Sequence, residues 1–167
     1  MSAISNIKSN AEYKPSIWQT VTTLTLGFWL SVSLFLDWVI MPSLYLSGMM
    51  SQDGFASAGY SLFWNFNRIE LLCASLVLTG VLVILNNQLR SAPKIVFLAI
   101  LLLGISLADT YFLTPQMSAA GVSLSLFDSV AEIPAKMNLL HGFYWVLDLV
   151  KLMAGGVVLG WCWRQKV

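Results

Sequence analysis

Seven ionisable side chains stand in or beside stretches too apolar to hold a charge alone: Asp37, Arg68, Glu70, Asp109, His141, Asp148 and Lys151. Each charge at the centre of a membrane helix costs on the order of 2.5–3.5 kcal/mol, so each needs a partner or a task. One histidine among three carboxylates offers a defined chemistry. Imidazole and carboxylate together exchange protons, ligate a divalent cation, or hold a polar head group. No two of Asp37, Glu70, Asp109 and His141 share a run at metal-binding spacing, so the identity of any metal stays open. A histidine in an apolar helix is also a one-sided axial ligand for haem or another tetrapyrrole. His141 is the only histidine, so two-histidine ligation within the chain is excluded. Asp148 and Lys151 lie one helical turn apart, the spacing of a local ion pair.

Other chemistries find no residues. There is no nucleophile beside a base, no phosphate loop and no dinucleotide fingerprint, so a role other than enzyme is expected. Met41, Met49, Met50, Met117 and Met137 lack the close repeat of a Cu(I) site and read as gap-fillers. Cys73 and Cys162 fall at different depths of separate apolar runs, which argues against a disulfide.

The elements that position these residues are apolar helices. Of 167 residues, 57% are hydrophobic and 10% charged, the formal net charge is +1, and the mean hydropathy is +0.76. A soluble surface needs far more charge. A nucleic-acid partner is excluded for want of a basic face, and the expected partner is the lipid bilayer. Four apolar runs, about 17–40, 69–89, 95–113 and 139–163, each approach the ~20 residues that span ~30 Å of hydrocarbon. The fold expected is all-α: one domain of four transmembrane helices in an antiparallel bundle, after a polar tail at 1–16. The first run stops at Met41-Pro42 and the third at Thr114-Pro115. Asn86 to Lys94 reads as a tight polar turn, and the longer connections 43–68 and 116–138 each have room for a short interfacial helix. Trp18, Trp38, Trp64, Trp161 and Trp163 fall near run ends, as an aromatic belt would.

Charge orients the bundle. Lys8, Lys14, Arg90, Lys94, Arg164 and Lys166 share one side, while Asp53, Asp128, Glu132 and Lys136 face the other. By the positive-inside rule both termini are cytoplasmic, in a cell inner membrane or its equivalent in an organelle or thylakoid. In that orientation Asp37, Arg68, Glu70, Asp109 and His141, at least one from each run, meet in the outer third. Asp148 and Lys151 lie deeper, as a separate buried pair. Arg68 pairing with Asp37 or Glu70 is the purely structural reading of the outer group. Gly156-Val-Val-Leu-Gly160 and Gly104-Ile-Ser-Leu-Ala108 permit close helix approach, within the bundle or across a homo-oligomer or larger membrane complex.

Leu140-His141-Gly142, followed seven residues after the histidine by Asp148, resembles an LHG…N pattern. Gly27 in the first run, the exit at Met41-Pro42 and Pro115 after the third add to it. Together they resemble the small four-helix membrane proteins of unknown function whose eukaryotic relatives include a transmembrane protein linked to platinum-drug resistance. The chain departs where it has Asp148 for asparagine and Tyr144 for a small hydroxyl residue. A looser similarity is to four-helix membrane protoporphyrinogen oxidases and copper-resistance membrane proteins. The resemblance implies membrane location and topology and supplies no reaction.

The leading expectation is an accessory, transport-related or assembly protein whose polar cluster binds a small ligand, a cation or a partner helix. The alternative is an oxidoreductase holding a tetrapyrrole on His141. An absorbance spectrum of the detergent-purified protein separates them. The tetrapyrrole reading requires a Soret band that His141→Ala abolishes, and a colourless protein overturns it.

Overall fold

A computed structural model describes residues 16–49, 52, 54–87, 91–119 and 135–164. These residues are helical apart from short turns, with no strand among them. Four helical segments, Ile17–Leu44, Ser57–Asn87, Pro93–Ala119 and Leu139–Arg164, are long and apolar enough to cross a membrane. They are called the first to fourth spans below. Phe28, Phe97, Phe112, Phe143 and Met153 are among the many large apolar side chains turned outward. A soluble monomer rarely exposes so much apolar surface.

The first span starts at Ser16, whose hydroxyl accepts from the Gln19 amide at 3.4 Å. Residues Ile17–Phe35 are α-helical, Leu36–Ile40 form a π-turn, and Met41–Leu46 continue the helix. The third span repeats this plan: Pro93–Ala108, then a π-turn over Asp109–Leu113, then helix through 119. The runs expected to stop at Pro42 and Pro115 therefore continue past both prolines. A proline removes one N–H and crowds the carbonyl four residues back. Within a bilayer, local π adjustment re-satisfies the freed groups. Here the Met41 amide donates to Leu36 O and the Thr114 amide to Asp109 O, five residues back in each case.

The second span departs further from expectation. Its helix runs unbroken over Phe55–Asn87, so residues expected to form a loop and an interfacial helix belong to the span itself. Glu70 consequently lies near its middle rather than at its outer end. The other expected interfacial helix falls largely at 120–134, outside the described residues. So do Lys8, Lys14, Met50, Asp53, Arg90, Asp128, Glu132 and Lys166.

The first span packs on the second and fourth, and the third packs on the same two; the diagonal pairs make no backbone contact among the described residues. Long side chains must therefore fill the central space. At the end of the bundle near Asn87, Pro93 and Arg164 the filling is apolar: Leu26, Val77, Val81, Leu102 and Val158. Gln19 Nε2 adds a buried hydrogen bond to Cys162 O at 2.9 Å. Cys73 and Cys162 are both buried, and neither forms a disulfide among the described residues.

The close helix approaches fall at other glycines than the small-residue motifs suggested. Gly104, Gly156 and Gly160 face open space. A methyl group at Gly80 would collide with the Thr22 hydroxyl, and one at Gly155 would lie 2.7 Å from Leu30 Cδ2. Overpacking of this kind costs about 1–3 kcal/mol. Gly80→Ala is therefore expected to lower the unfolding midpoint in detergent and Gly156→Ala to leave it unchanged. Equal effects would refute the assignment of Gly80 as the contact glycine.

Candidate functional site

Glu70 is the hub. Its Oε1 accepts from Lys151 Nζ at 2.7 Å, Trp29 Nε1 at 2.9 Å and Ser33 Oγ at 3.1 Å. Trp29 and Ser33 are four residues apart in the first span, one turn, so both reach the same carboxylate from one helix face. Lys151 arrives from the fourth span. Its ammonium also lies 3.1 Å from Asp148 Oδ1. That second contact is an ion pair by distance but not a hydrogen bond by angle, since Asp148 Oδ1 has no hydrogen-bond donor.

Asp37 and Asp109 each sit in a π-turn, Asp37 second in its own and Asp109 first. Tyr144 OH donates to Asp37 Oδ1 at 2.9 Å. Trp38 Nε1 makes a longer contact of 3.4 Å to Asp148 Oδ2, and its ring meets Trp145 edge-on at 5.3 Å. Asp109 lies within electrostatic range of Lys151, Glu70, Asp148 and Asp37. Asn67, one turn before Glu70, donates to Thr114 Oγ1 at 2.6 Å and so ties the second span to the end of the third span's π-turn. Exposure is 2% for Asp37, 1% for Glu70, Asp109 and Asp148, and 0% for Lys151.

Donors are unevenly shared. Glu70 Oε1 receives three, whereas Asp37 Oδ2, Asn67 Oδ1 and Asp109 Oδ1 receive none among the described residues. A buried carboxylate without donors is far costlier than one that is hydrogen-bonded.

The structure redraws the grouping expected from sequence. Asp37, Glu70 and Asp109 do come together. Asp148 and Lys151 do pair, but as part of that same cluster, because Lys151 is also the ion partner of Glu70. The separation into an outer site and a deeper pair fails because the second span begins earlier than its hydropathy suggested. Arg68 is exposed and lies over the Trp64 ring at 4.1 Å, a cation–π contact, rather than pairing with Asp37 or Glu70. His141 is half-buried, one turn before Tyr144, and it is Tyr144 that donates to Asp37. Trp38 reaches the cluster from the π-turn of the first span, so it is more than an interfacial anchor. Trp29, Ser33, Asn67 and Tyr144 were missed. The available signal was helical spacing: Asn67 lies three residues from Glu70, Ser33 four from Asp37 and Tyr144 four from Asp148, with Trp29 a further four before Ser33. Among the described residues, no group of three or more His, Cys, Asp or Glu side chains is arranged to hold a metal ion.

Comparison of the chain with family models, with curated proteins and with solved structures finds no match.

Removing one partner of a buried ion pair costs about 3–5 kcal/mol. Lys151→Met is expected to destabilise the detergent-solubilised protein on this scale. From the sequence, adding Asp148→Asn would make Lys151→Met better tolerated than it is alone. With Glu70 the closer partner, repair needs Glu70→Gln as well. Full recovery in the Asp148→Asn/Lys151→Met double variant, measured by unfolding in detergent, would remove Glu70 from the role assigned here.

Proposed function

We propose that this chain is a transport-related or accessory protein of a cell inner membrane whose intramembrane cluster takes up and releases protons. The observation that carries this reading is a charge imbalance. Four carboxyl groups, on Asp37, Glu70, Asp109 and Asp148, surround a single ammonium, that of Lys151, and all are cut off from solvent. Fully ionised, the five groups would hold four negative charges against one positive. Desolvation costs several kcal/mol per uncompensated ion, so the surplus must be neutralised by protons or by a bound cation. Titratable groups inside a membrane span generally belong to such pathways.

Glu70, with three donors on one oxygen, serves as fixed counter-ion to Lys151. Asp37 and Asp109 are the exchanging groups, since each has an oxygen that no donor among the described residues reaches and neither is an ion-pair partner of Lys151 as Asp148 is. Both sit in π-turns, a feature found frequently at functional sites. Tyr144 connects Asp37 to the fourth span and can relay a proton through its hydroxyl.

An antiparallel bundle with both termini cytoplasmic completes the proposal. In support, Gln19 pairs with Cys162 while Asp37 pairs with Tyr144, so rising numbers on the first span meet falling numbers on the fourth. A homo-oligomer or a larger complex would be built on the outward faces.

Infrared spectroscopy in detergent or bilayers tests the reading. A protonated carboxyl has a carbonyl stretch well apart from the carboxylate bands. The wild-type protein is expected to show one at neutral pH that fades as pH rises. Asp109→Asn and Asp37→Asn should each remove part of it, and Glu70→Gln should not. A spectrum with no protonated-carboxyl band across the accessible pH range would sink the proposal.

A further inference from the structure

We infer that Asp37, Asn67 and Asp109 form a binding site for a small cation carrying N–H donors, ammonium itself or a primary-amine head group. The inference deepens the proton-exchange reading above and rests on it, since the arriving cation takes the place of a dissociable proton.

Three observations lead there. The first is chemical sign. Of the buried oxygens that no donor among the described residues reaches, Asp37 Oδ2, Asn67 Oδ1 and Asp109 Oδ1 are acceptors on three different spans, and none of them is a salt-bridge partner of Lys151 as Asp148 Oδ1 is. Asn67 matters most, because it is not acidic. Its amide nitrogen is committed to Thr114 Oγ1, which fixes the group and leaves its carbonyl oxygen without a donor.

The second is convergence. Thr114 and Asp109 are the two ends of one π-turn, joined by the Thr114 amide bond to Asp109 O, and so occupy nearly the same helix face. Asn67 is therefore held beside the face that carries Asp109. Phe63, one turn before Asn67, meets the Tyr144 ring edge-on at 6.0 Å, and Tyr144 holds Asp37. Asp37 and Asp109 are also within electrostatic range of each other.

The third is an internal precedent. The same cluster already holds an ammonium, that of Lys151, between Glu70 Oε1 at 2.7 Å and Asp148 Oδ1 at 3.1 Å. A tetrahedral N–H donor fits a carboxylate–carboxylate–amide set as Lys151 fits its own pair. A transition-metal ion is less suited, since among the described residues no three His, Cys, Asp or Glu side chains are grouped to hold one. Binding balances simply: one N–H cation enters, and one carboxyl proton leaves to solvent.

The titratable groups within electrostatic or hydrogen-bond range of Asp37 or Asp109 include Tyr144, Asp148 and Lys151 from the fourth span and Glu70 from the second. The test uses full-length protein in detergent at neutral pH and weak buffer, titrated separately with the chlorides of ammonium, methylammonium, sodium and tetramethylammonium. Ammonium and methylammonium should raise the unfolding midpoint and release protons. Sodium and tetramethylammonium, which bring no N–H donor, should do neither. Loss of a hydrogen bond to a charged group predicts that Asn67→Leu weakens ammonium binding about tenfold or more. Asn67→Leu should leave the protonated-carboxyl infrared band in place, which also reports that the variant is folded. Equal responses to sodium and ammonium, or none to any cation while that band persists, would overturn the ammonium site and leave proton exchange standing. Absence of the band would overturn proton exchange itself.

Discussion

The ion pair between Lys151 and Glu70, 2.7 Å long and closed to solvent, fixes how the spans meet. Two buried charges repay their desolvation only when geometry is good and the remaining valences are filled. Trp29 and Ser33 fill them for Glu70, and Asp148 lies beside Lys151. These partners come from the first, second and fourth spans, so their relative register follows from satisfying one carboxylate. Sliding any of these spans by a turn would strand a charge. Apolar packing between spans gives no comparable discrimination in lipid, where the surroundings are as apolar as the core.

The third span answers to a different constraint. It contributes Asp109 and Thr114, neither of them charge partners of Lys151 at contact distance, and is tied in through Asn67. Its π-turn and that of the first span stand in corresponding places, each carrying an aspartate and each followed within two residues by a proline. A proline alone would end or kink a helix in water. In a bilayer the chain cannot stop there, because no water replaces the lost bond, and the wider turn keeps the backbone satisfied. The same widening changes which way the aspartate projects. Backbone repair and placement of the carboxyl thus share one local device in both spans.

Much of this was legible from residue type alone. Long apolar runs without alternation dictated four helices. The expense of intramembrane charge picked out Asp37, Glu70, Asp109, Asp148 and Lys151 before any contact was known. Two things were not legible. Hydropathy places the start of a span where polarity ends, yet Ser57, Asn65 and Asn67 are polar and helical all the same: Asn65 Nδ2 donates to Ser61 O, and Asn67 Nδ2 to Thr114. Starting the second span at 69 moved Glu70 to the membrane edge and so split one cluster into two. Rotational phase was the other gap. Gly156 and Gly155 are neighbours in sequence, but only Gly155 faces Leu30, and spacing within one helix cannot say which face meets a neighbour. His141 drew attention for its chemistry, while Tyr144, one turn on, carries the hydrogen bond.

What sets this cluster apart from an ordinary buried ion pair is the supply of donors. In a soluble protein, water makes up any shortfall, and an acceptor without a partner in the chain means little. Within a bilayer the shortfall must be met by the chain, by a proton or by something that enters. This chain spends its donors on Glu70, placing three on one oxygen, and leaves Asp37 and Asp109 with an oxygen each that none reaches. On the proposed reading, like chemical groups in one cluster are thereby divided into one that is held and others that exchange. The aspartates gain nothing structurally from that state, since asparagine would fit the same space without the charge. Their acidity is the property the arrangement retains, and an acid with an oxygen left unfilled inside a membrane is equipped to bind what arrives positively charged.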